Sequence, residues 1–467
     1  MKKYLAIFLA LTMVLTFAVS CGNGEEPEET PAPVETDVPE DTEEPDETED
    51  PGETEEPEVT DAPETGIEAS IVVQVETDWM GYYQAAADRV IAQNPGSTIE
   101  LMEVASFDHI DTLDQTDATN PDVADLFALP ADRLTNMAGK DLLGAIDSKA
   151  IAAAAGGWDD FDAGLGGLFV VDGEYLAFPF NIETLIVFAN KANAETEGID
   201  LSAPVEMNDM EHPAHILLPA FDAWFGVALT NSADIDLLAP EGDAFVSDFT
   251  KDWADLEPEK QAAIEALYDY WKLNADSNTT LFDAEAGWGY IDDQFTSGNA
   301  GVLRIGGPWE TGGMKEKTND GADLGIYNID HITVAGQPLR HWQGGWGLAI
   351  NPRIEEDDNQ VALAEAMIAE IVNPDFAEDL FRATGKILEN VTAEEYAASG
   401  LDDIDKTVIA ATIESFDISP GRPLYQEFNP VWDTWKNGVL SWNTVQPENV
   451  EAAYAELKAS FDAMMSN

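Results

Sequence analysis

LAFPFNIETLIVFA, residues 176–189, is the stretch on which the fold turns. It is rich in β-formers throughout, yet Phe178-Pro179-Phe180 interrupts it, and proline lacks the N–H that a central ladder position needs. A single strand in the middle of one sheet is therefore excluded, and a bend or a passage between domains is expected. On the N-terminal side, residues 69–75 form an apolar run, and 82–93 have helical spacing with Val90 and Ile91 inward. Asn94-Pro95-Gly96 ends that helix, 98–104 alternate, and 122–129 are a further apolar run behind Asn120-Pro121. On the C-terminal side, Pro258 suits the first turn of a helix that sets Ile264, Leu267, Tyr268 and Trp271 on one face. Residues 300–305 read as a strand entering Gly306-Gly307-Pro308, and 346–350 as another. Residues 360–372 are a helix stopped by Pro374, and Val450, Tyr454, Leu457, Phe461 and Met464 line a terminal one. Strands interleaved with helices throughout indicate an α/β class.

The first twenty residues have a different character. Lys2 and Lys3 precede an uncharged stretch from 4 to 19 and the small Ser20, the layout of a secretory signal. That stretch is marginal for a spanning helix. Ala18-Val19-Ser20-Cys21 resembles the lipobox of bacterial lipoproteins, and Cys21 is the only cysteine of the 467 residues, so no intramolecular disulfide can use it. Lipidation of Cys21 is expected, with residues 1–20 as signal peptide and the mature chain starting at Cys21.

Residues 21–66 read as a disordered acidic tether. From 22 to 66 there are 20 Asp or Glu and no Lys or Arg, with proline every sixth residue from 27 to 63 and threonine in the same step from 30 to 60. Such a repeat is too polar to bury a core and too self-repelling to collapse. At about 3.1 Å per residue it reaches at most roughly 140 Å, enough to hold a domain clear of a membrane surface.

Setting aside the leader's two lysines and the tether's acids leaves 72 acids against 19 bases in residues 67–467, a net charge of −53. That balance excludes nucleic acid as a partner. It also repels itself unless salt shortens the screening length to about 3 Å near 1 M, so a salt-adapted protein is expected. The length allows two domains with sizeable cores, held by apolar packing without disulfides.

The order of motifs resembles the extracellular solute-binding proteins of ABC importers, in the carbohydrate group to which maltose-binding protein belongs. VDGEYLAFPFNIETLIVFANK, 171–191, is similar to the family's strand that leaves the first lobe and enters the second, with its acid at Glu183. Residues 120–143 resemble the segment whose Asp-Arg pair contacts sugar hydroxyls, here Asp132 and Arg133. FTSGNAGVLRIGGPW, 295–309, is similar to the strand ending in Gly-Pro-Trp, whose aromatic stacks on a sugar ring, here Trp309. Residues 423–432 keep the spacing to a second stacking aromatic, Trp432, and 215–224 look like the segment that supplies a third, Phe221. Where the family carries a basic residue after its first strand, this chain has Asp78-Trp79-Met80-Gly81-Tyr82, and Trp79 or Tyr82 is expected to substitute. The segment 341–346, with Trp342, matches less well and is expected to reshape the pocket.

The resemblance implies a two-lobe periplasmic-binding-protein fold of type II, with hinge crossovers near residues 180, 340 and 390. The first lobe would comprise 67–180 and 340–390, the second 181–339 and 391–467. It implies a monomeric, lipid-anchored receptor on the extracytoplasmic side of the cell membrane. Its partners would be an oligosaccharide of maltodextrin type, or another small solute, and the permease subunits of the importer. No catalytic residue, cofactor or metal is expected; His212 and His215 flank Pro213 without an evident third ligand.

The residue types suit such a ligand. A pyranose offers apolar C–H faces and a rim of hydroxyls, which call for flat aromatic platforms and planar polar forks. Trp158, Trp253, Trp271, Trp288 and Trp442 read instead as core. Two further readings remain open at this level: the same fold holding a polyol, polyamine or organic anion, and a secreted glycoside hydrolase built on a carboxylate pair. A purely structural surface lipoprotein is the third. Replacing Cys21→Ser is expected to abolish fatty-acid labelling and move the protein from the membrane fraction to the medium. Retention of label or of membrane association would contradict the lipid anchor.

Overall fold

In the computed structural model the segment 176–189 is shared between two sheets. The model describes residues 66–466 apart from 159, 160 and 243; the leader, Cys21 and the acidic repeat to residue 65 lie outside the described residues. Phe178–Glu183 is the edge strand of a five-stranded sheet whose order continues through Gly344–Ile350, Leu126–Pro130, Ser70–Val75 and Thr98–Glu103. The last three are mutually parallel, and Gly344–Ile350 runs antiparallel to both its neighbours. Pro179 is accommodated because its strand lies at the edge and its register slips between Trp346 and Gly347, where a missing N–H breaks no regular ladder.

Two residues further on, Ile186–Asn190 is an inner strand of a second sheet. Its order is Leu324–Tyr327, Ile186–Asn190, Leu303–Gly306, Ile216–Leu217. Ile186–Asn190 reads as a continuous apolar run because all five residues are buried, with neighbours on both sides.

Helices cover each sheet. Met80–Gln93 and Asp358–Ile371 pack together beside the first, with Val90 buried and Ile91 only partly so. Beside the second, Pro258–Asp276, Asn429–Val445 and Val450–Met465 form one block. Val431, Trp435, Val439 and Trp442 recur at helical spacing on the buried face of Asn429–Val445, and Tyr454, Leu457 and Phe461 face them from the last helix. Pro258 does open its helix. Among the tryptophans read as core, Trp271 and Trp442 are fully buried, while Trp158, Trp253 and Trp288 are partly buried against the core. No helix among the described residues is long and apolar enough to cross a membrane.

Three segments join the two sheets. Thr184 and Leu185 lead across from Phe178–Glu183, residues 339–343 lead back into Gly344–Ile350, and the chain after Gly385 passes Ile182 before reaching Asp403–Asp417 on the second sheet. They are tied to one another. Ile182 N donates to Ile387 O at 3.0 Å, and Gln343 N donates to Pro420 O at 2.8 Å. His341, fully buried, has Nε2 at 2.7 Å from Trp224 O and Nδ1 at 3.3 Å from Thr184 Oγ1. The carbonyl of Trp224 makes Nε2 a donor, while the Thr184 hydroxyl at Nδ1 can either donate or accept. Burial pushes the pKa of His341 down to about 3. In the first sheet's flank, His109 Nε2 accepts from Ala124 N at 2.8 Å, and burial lowers its pKa to about 4.

Unfolded, both rings protonate near 6.5. The unfolded chain therefore binds more protons below that value, so the stability these rings contribute is complete above it and is lost as pH falls toward 4 and then 3. By about pH 4 each is expected to have removed roughly 3 kcal/mol. Urea unfolding between about pH 7 and about pH 4.5 checks this: His109→Gln should lose stability less steeply than the unaltered chain, and equal slopes would contradict it.

Candidate functional site

The carboxyl ends of the parallel strands, the crossing segments and the loops of the second sheet enclose a cleft of about 1410 Å³. Ligands of open α/β sheets bind outside such strand ends. From the first sheet's side the cleft is lined by Trp79, Phe107, Asp132, Arg133, Glu183 and Trp346; from the other by Asp222, Trp224, Trp309, Arg422 and Trp432. Lys386, on the third crossing segment, lies between them.

Trp309 is held by its turn. It follows Leu303–Gly306 in the short turn Pro308–Glu310, whose Glu310 accepts from Gly307 N at 3.2 Å and pairs with the buried Arg304. A Cβ on Gly307 would lie 2.1 Å from the Trp309 ring, so only glycine allows the indole to lie over the backbone there. Gly385, at φ 68°, brings the third crossing segment against Trp309: a Cβ there would sit 3.1 Å from Trp309 Cα. The indole itself is 43% exposed, an unusually open aromatic for a chain whose other large apolar side chains are mostly buried.

Trp432 sits near the start of Asn429–Val445 and is braced edge-on by Trp342 and by Phe428, each at 5.8 Å. Arg422 lies 4.7 Å from the ring centre of Trp224 and 5.4 Å from that of Trp432. Its Nη2 reaches Asp132 Oδ2 at 2.7 Å, so this ion pair joins the loop before Trp432 to the segment after Leu126–Pro130. Both partners are largely buried, and Asp132 Oδ1 and Arg422 Nε have no hydrogen-bond partner among the described residues. Asp132 is thus engaged by Arg422 rather than by its neighbour Arg133, which lines the cleft separately. Glu183 Oε1 accepts from Trp346 Nε1 at 3.0 Å, and Trp346 packs edge-on against the half-exposed Phe107 at 5.2 Å.

Three residues expected in the cleft point elsewhere. Tyr82 is on the inward face of Met80–Gln93, where its hydroxyl donates to Ile371 O at 2.7 Å, and burial raises its pKa well above the ordinary phenol value. Phe221 is buried 6.0 Å from Trp288, and Trp342 is buried behind Trp224 and Trp432, backing the platforms without lining the cleft. Phe221 turns inward beside Asp222, which lines the cleft. Trp79 lines the cleft but is 7% exposed, wedged against Tyr83 and Phe180.

Sequence reasoning missed Phe107, Trp224, Arg422 and Lys386, and placed Trp346 in a strand and at the end of the pocket-shaping segment 341–346 without naming it as a site residue. Arg422 directly precedes Pro423, the start of a recognised block, which was the available signal. The rings of His212 and His215 lie 5.2 Å apart and tilted by 37°, and no group of metal-ligating side chains occurs among the described residues.

No family model matches the chain. It is 23% identical over 377 residues to the maltodextrin-binding protein MdxE of Bacillus subtilis (strain 168), covering 78% of this chain and 82% of that one. Its fold is similar to that of the maltose-binding periplasmic protein MalE of Listeria monocytogenes in complex with maltose, at a TM-score of 0.63 and 17% identity over 86% of this chain and 99% of the other. MalX of Streptococcus pneumoniae in complex with maltopentaose aligns at a TM-score of 0.64, with 17% identity over 84% and 99%. The fold is accordingly the two-lobed α/β fold of periplasmic binding proteins.

Breaking the Asp132–Arg422 pair by Asp132→Ala strands a buried guanidinium and is expected to destabilise the chain by about 3 kcal/mol, against under about 1 kcal/mol for Asp276→Ala in the exposed Lys272–Asp276 pair. Urea midpoints of the two variants decide it, and equal shifts would overturn the assignment of the first pair as structural.

Proposed function

We propose that this chain is a lipid-anchored extracellular solute-binding receptor of an ABC importer, which captures a carbohydrate of maltodextrin type by closing two lobes on it. The lobes divide at the three crossing segments, near residues 180, 340 and 390, with the strand Phe178–Glu183 in the first because it pairs within the first sheet. The observation that carries this reading is the meeting, in one cleft, of Trp309 and Trp432 with Asp132, Arg133 and Glu183. The likeness to maltodextrin- and maltose-binding proteins supports it independently.

The chemistry is that of a neutral, hydroxyl-rich chain. Indoles remove sugar C–H faces from water at about 25 cal/mol per Å², and hydroxyls that would otherwise be unpaired gain about 1.5–3 kcal/mol from each charged partner. The cleft exceeds the roughly 300–1,000 Å³ of ordinary small-molecule sites, which favours an extended oligosaccharide over a single ring. Seven carboxylates and five cations line it. That balance, in a chain with 92 acids and 21 bases, together with exposed aromatics, weighs against a polyamine. Contacts from both lobes are complete only in the closed form, so the ligand shifts the hinge toward closure and a permease can distinguish loaded from empty receptor.

Calorimetric titration with maltose, maltotriose and longer maltodextrins at low and at high salt is expected to show stoichiometric binding without release of product sugars. Trp309→Ala should weaken it roughly ten- to hundredfold while leaving the melting temperature nearly unchanged, since the ring is exposed. Silence across a broad sugar panel would remove the carbohydrate reading, and steady product release would replace it with a hydrolase.

A further inference from the structure

We propose that Lys386 is a specificity-determining residue of the cleft, whose ammonium donates hydrogen bonds to hydroxyl oxygens of an uncharged ligand and disfavours an acidic one. The inference rests on the oligosaccharide reading above and deepens it to neutral sugars.

The backbone on either side of Lys386 is fixed. Its own N–H donates to Thr384 Oγ1 at 3.0 Å, Ile387 O accepts from Ile182 N at 3.0 Å, and the left-handed Gly385 abuts Trp309. The side chain is thereby delivered to the cleft from the segment that joins the two sheets. Its Nζ lies 4.4 Å from the ring centre of Trp346, 5.4 Å from Trp79 and 5.7 Å from Phe180. Such faces attract a cation but offer no hydrogen-bond acceptor to its three donors.

Among the described residues that ammonium has neither a hydrogen bond nor an ion pair. Three of the other four cleft cations differ: Arg422 holds Asp132, Lys315 holds Asp402 and Asp405, and Arg382 pairs with Glu378 and Asp379, whereas Arg133 also lacks a partner among the described residues. A lysine serving only structure would have such a partner, because a desolvated charge without one is destabilising. Desolvation by the rings accordingly lowers its pKa. An acceptor brought by a ligand removes this deficit.

The surroundings then choose the kind of acceptor. Glu183 and Glu76 lie near enough to act on Lys386 electrostatically. One cation beside two carboxylates leaves the neighbourhood net negative, so a sugar carboxylate drawn to the ammonium would be repelled by both glutamates. A hydroxyl carries no charge, and it can accept from Lys386 while donating to Glu183, whose Oε1 is already taken by Trp346.

The test uses the full chain, the neutral near-isostere Lys386→Met, and Lys386→Arg. Titrated with maltotriose, Lys386→Met is expected to bind roughly ten- to hundredfold more weakly, with Lys386→Arg retaining most of the affinity. The melting temperature of Lys386→Met without sugar should hold or rise, a sign opposite to that of a structural lysine. The unaltered chain should prefer maltotriose to a trisaccharide carrying one glucuronate. Unchanged binding by Lys386→Met, a fall in its melting temperature, or preference for the glucuronate would each overturn the proposal while leaving the receptor reading intact. Failure of the unaltered chain to bind any sugar would overturn both.

Discussion

Thr184 and His341 meet in the buried space where the chain passes between its two sheets, and burial there favours the uncharged imidazole. On one side the ring pairs with the threonine hydroxyl; on the other it donates to the carbonyl of Trp224, which itself lines the cleft. The outgoing and returning strands are therefore joined through a residue that also orients a wall of the site. Crossing segments must bend without losing register, and a buried polar contact that is fully satisfied is specific in geometry where apolar packing alone would tolerate sliding. The same constraint explains why Pro179 is tolerated two residues from the inner face of the cleft. It sits at a sheet edge with a register slip, where the strand can turn toward the second sheet.

Charge is distributed unequally over this scaffold. The chain as a whole is strongly acidic, yet five of its 21 basic residues gather around one cleft, where they meet seven carboxylates. Long-range repulsion is thus concentrated on the exterior and locally compensated where a guest enters. Asp132 and Arg422 show how compensation doubles as positioning. The ion pair spans the cleft, and the guanidinium lies near the centres of two indoles, so the polar fork and the flat surfaces are held by one group. Each partner keeps one buried polar atom unpaired among the described residues, which leaves the pair room for further contacts.

The α/β class and the passage near residue 180 were legible because they depend on local signals: Pro179 inside a β-rich run, and helical spacing around Pro258 and Tyr454. Trp309 was legible through the resemblance of residues 295–309 to the family's strand ending in Gly-Pro-Trp. Tyr82, Phe221 and Trp342 were misplaced because a motif locates a neighbourhood without resolving which aromatic in it faces the cleft. Arg422, Lys386 and Phe107 were illegible because their significance comes from partners far along the chain: Asp132 is 290 positions from Arg422, and Lys386 meets Trp79 and Trp346 only after the sheets have formed. No local periodicity encodes such meetings.

The contact of Gly307 and Gly385 with Trp309 has a practical side for redesign. Any side chain at Gly307 would collide with the indole, and Gly385 combines a left-handed backbone with close approach to the same residue. A library that randomised these two glycines would mostly sample displaced rings rather than altered preferences. Diversity is better introduced at Phe107, where the ring is half-exposed and braced from one side, so that the cleft can be varied without disturbing the segments that join the two sheets.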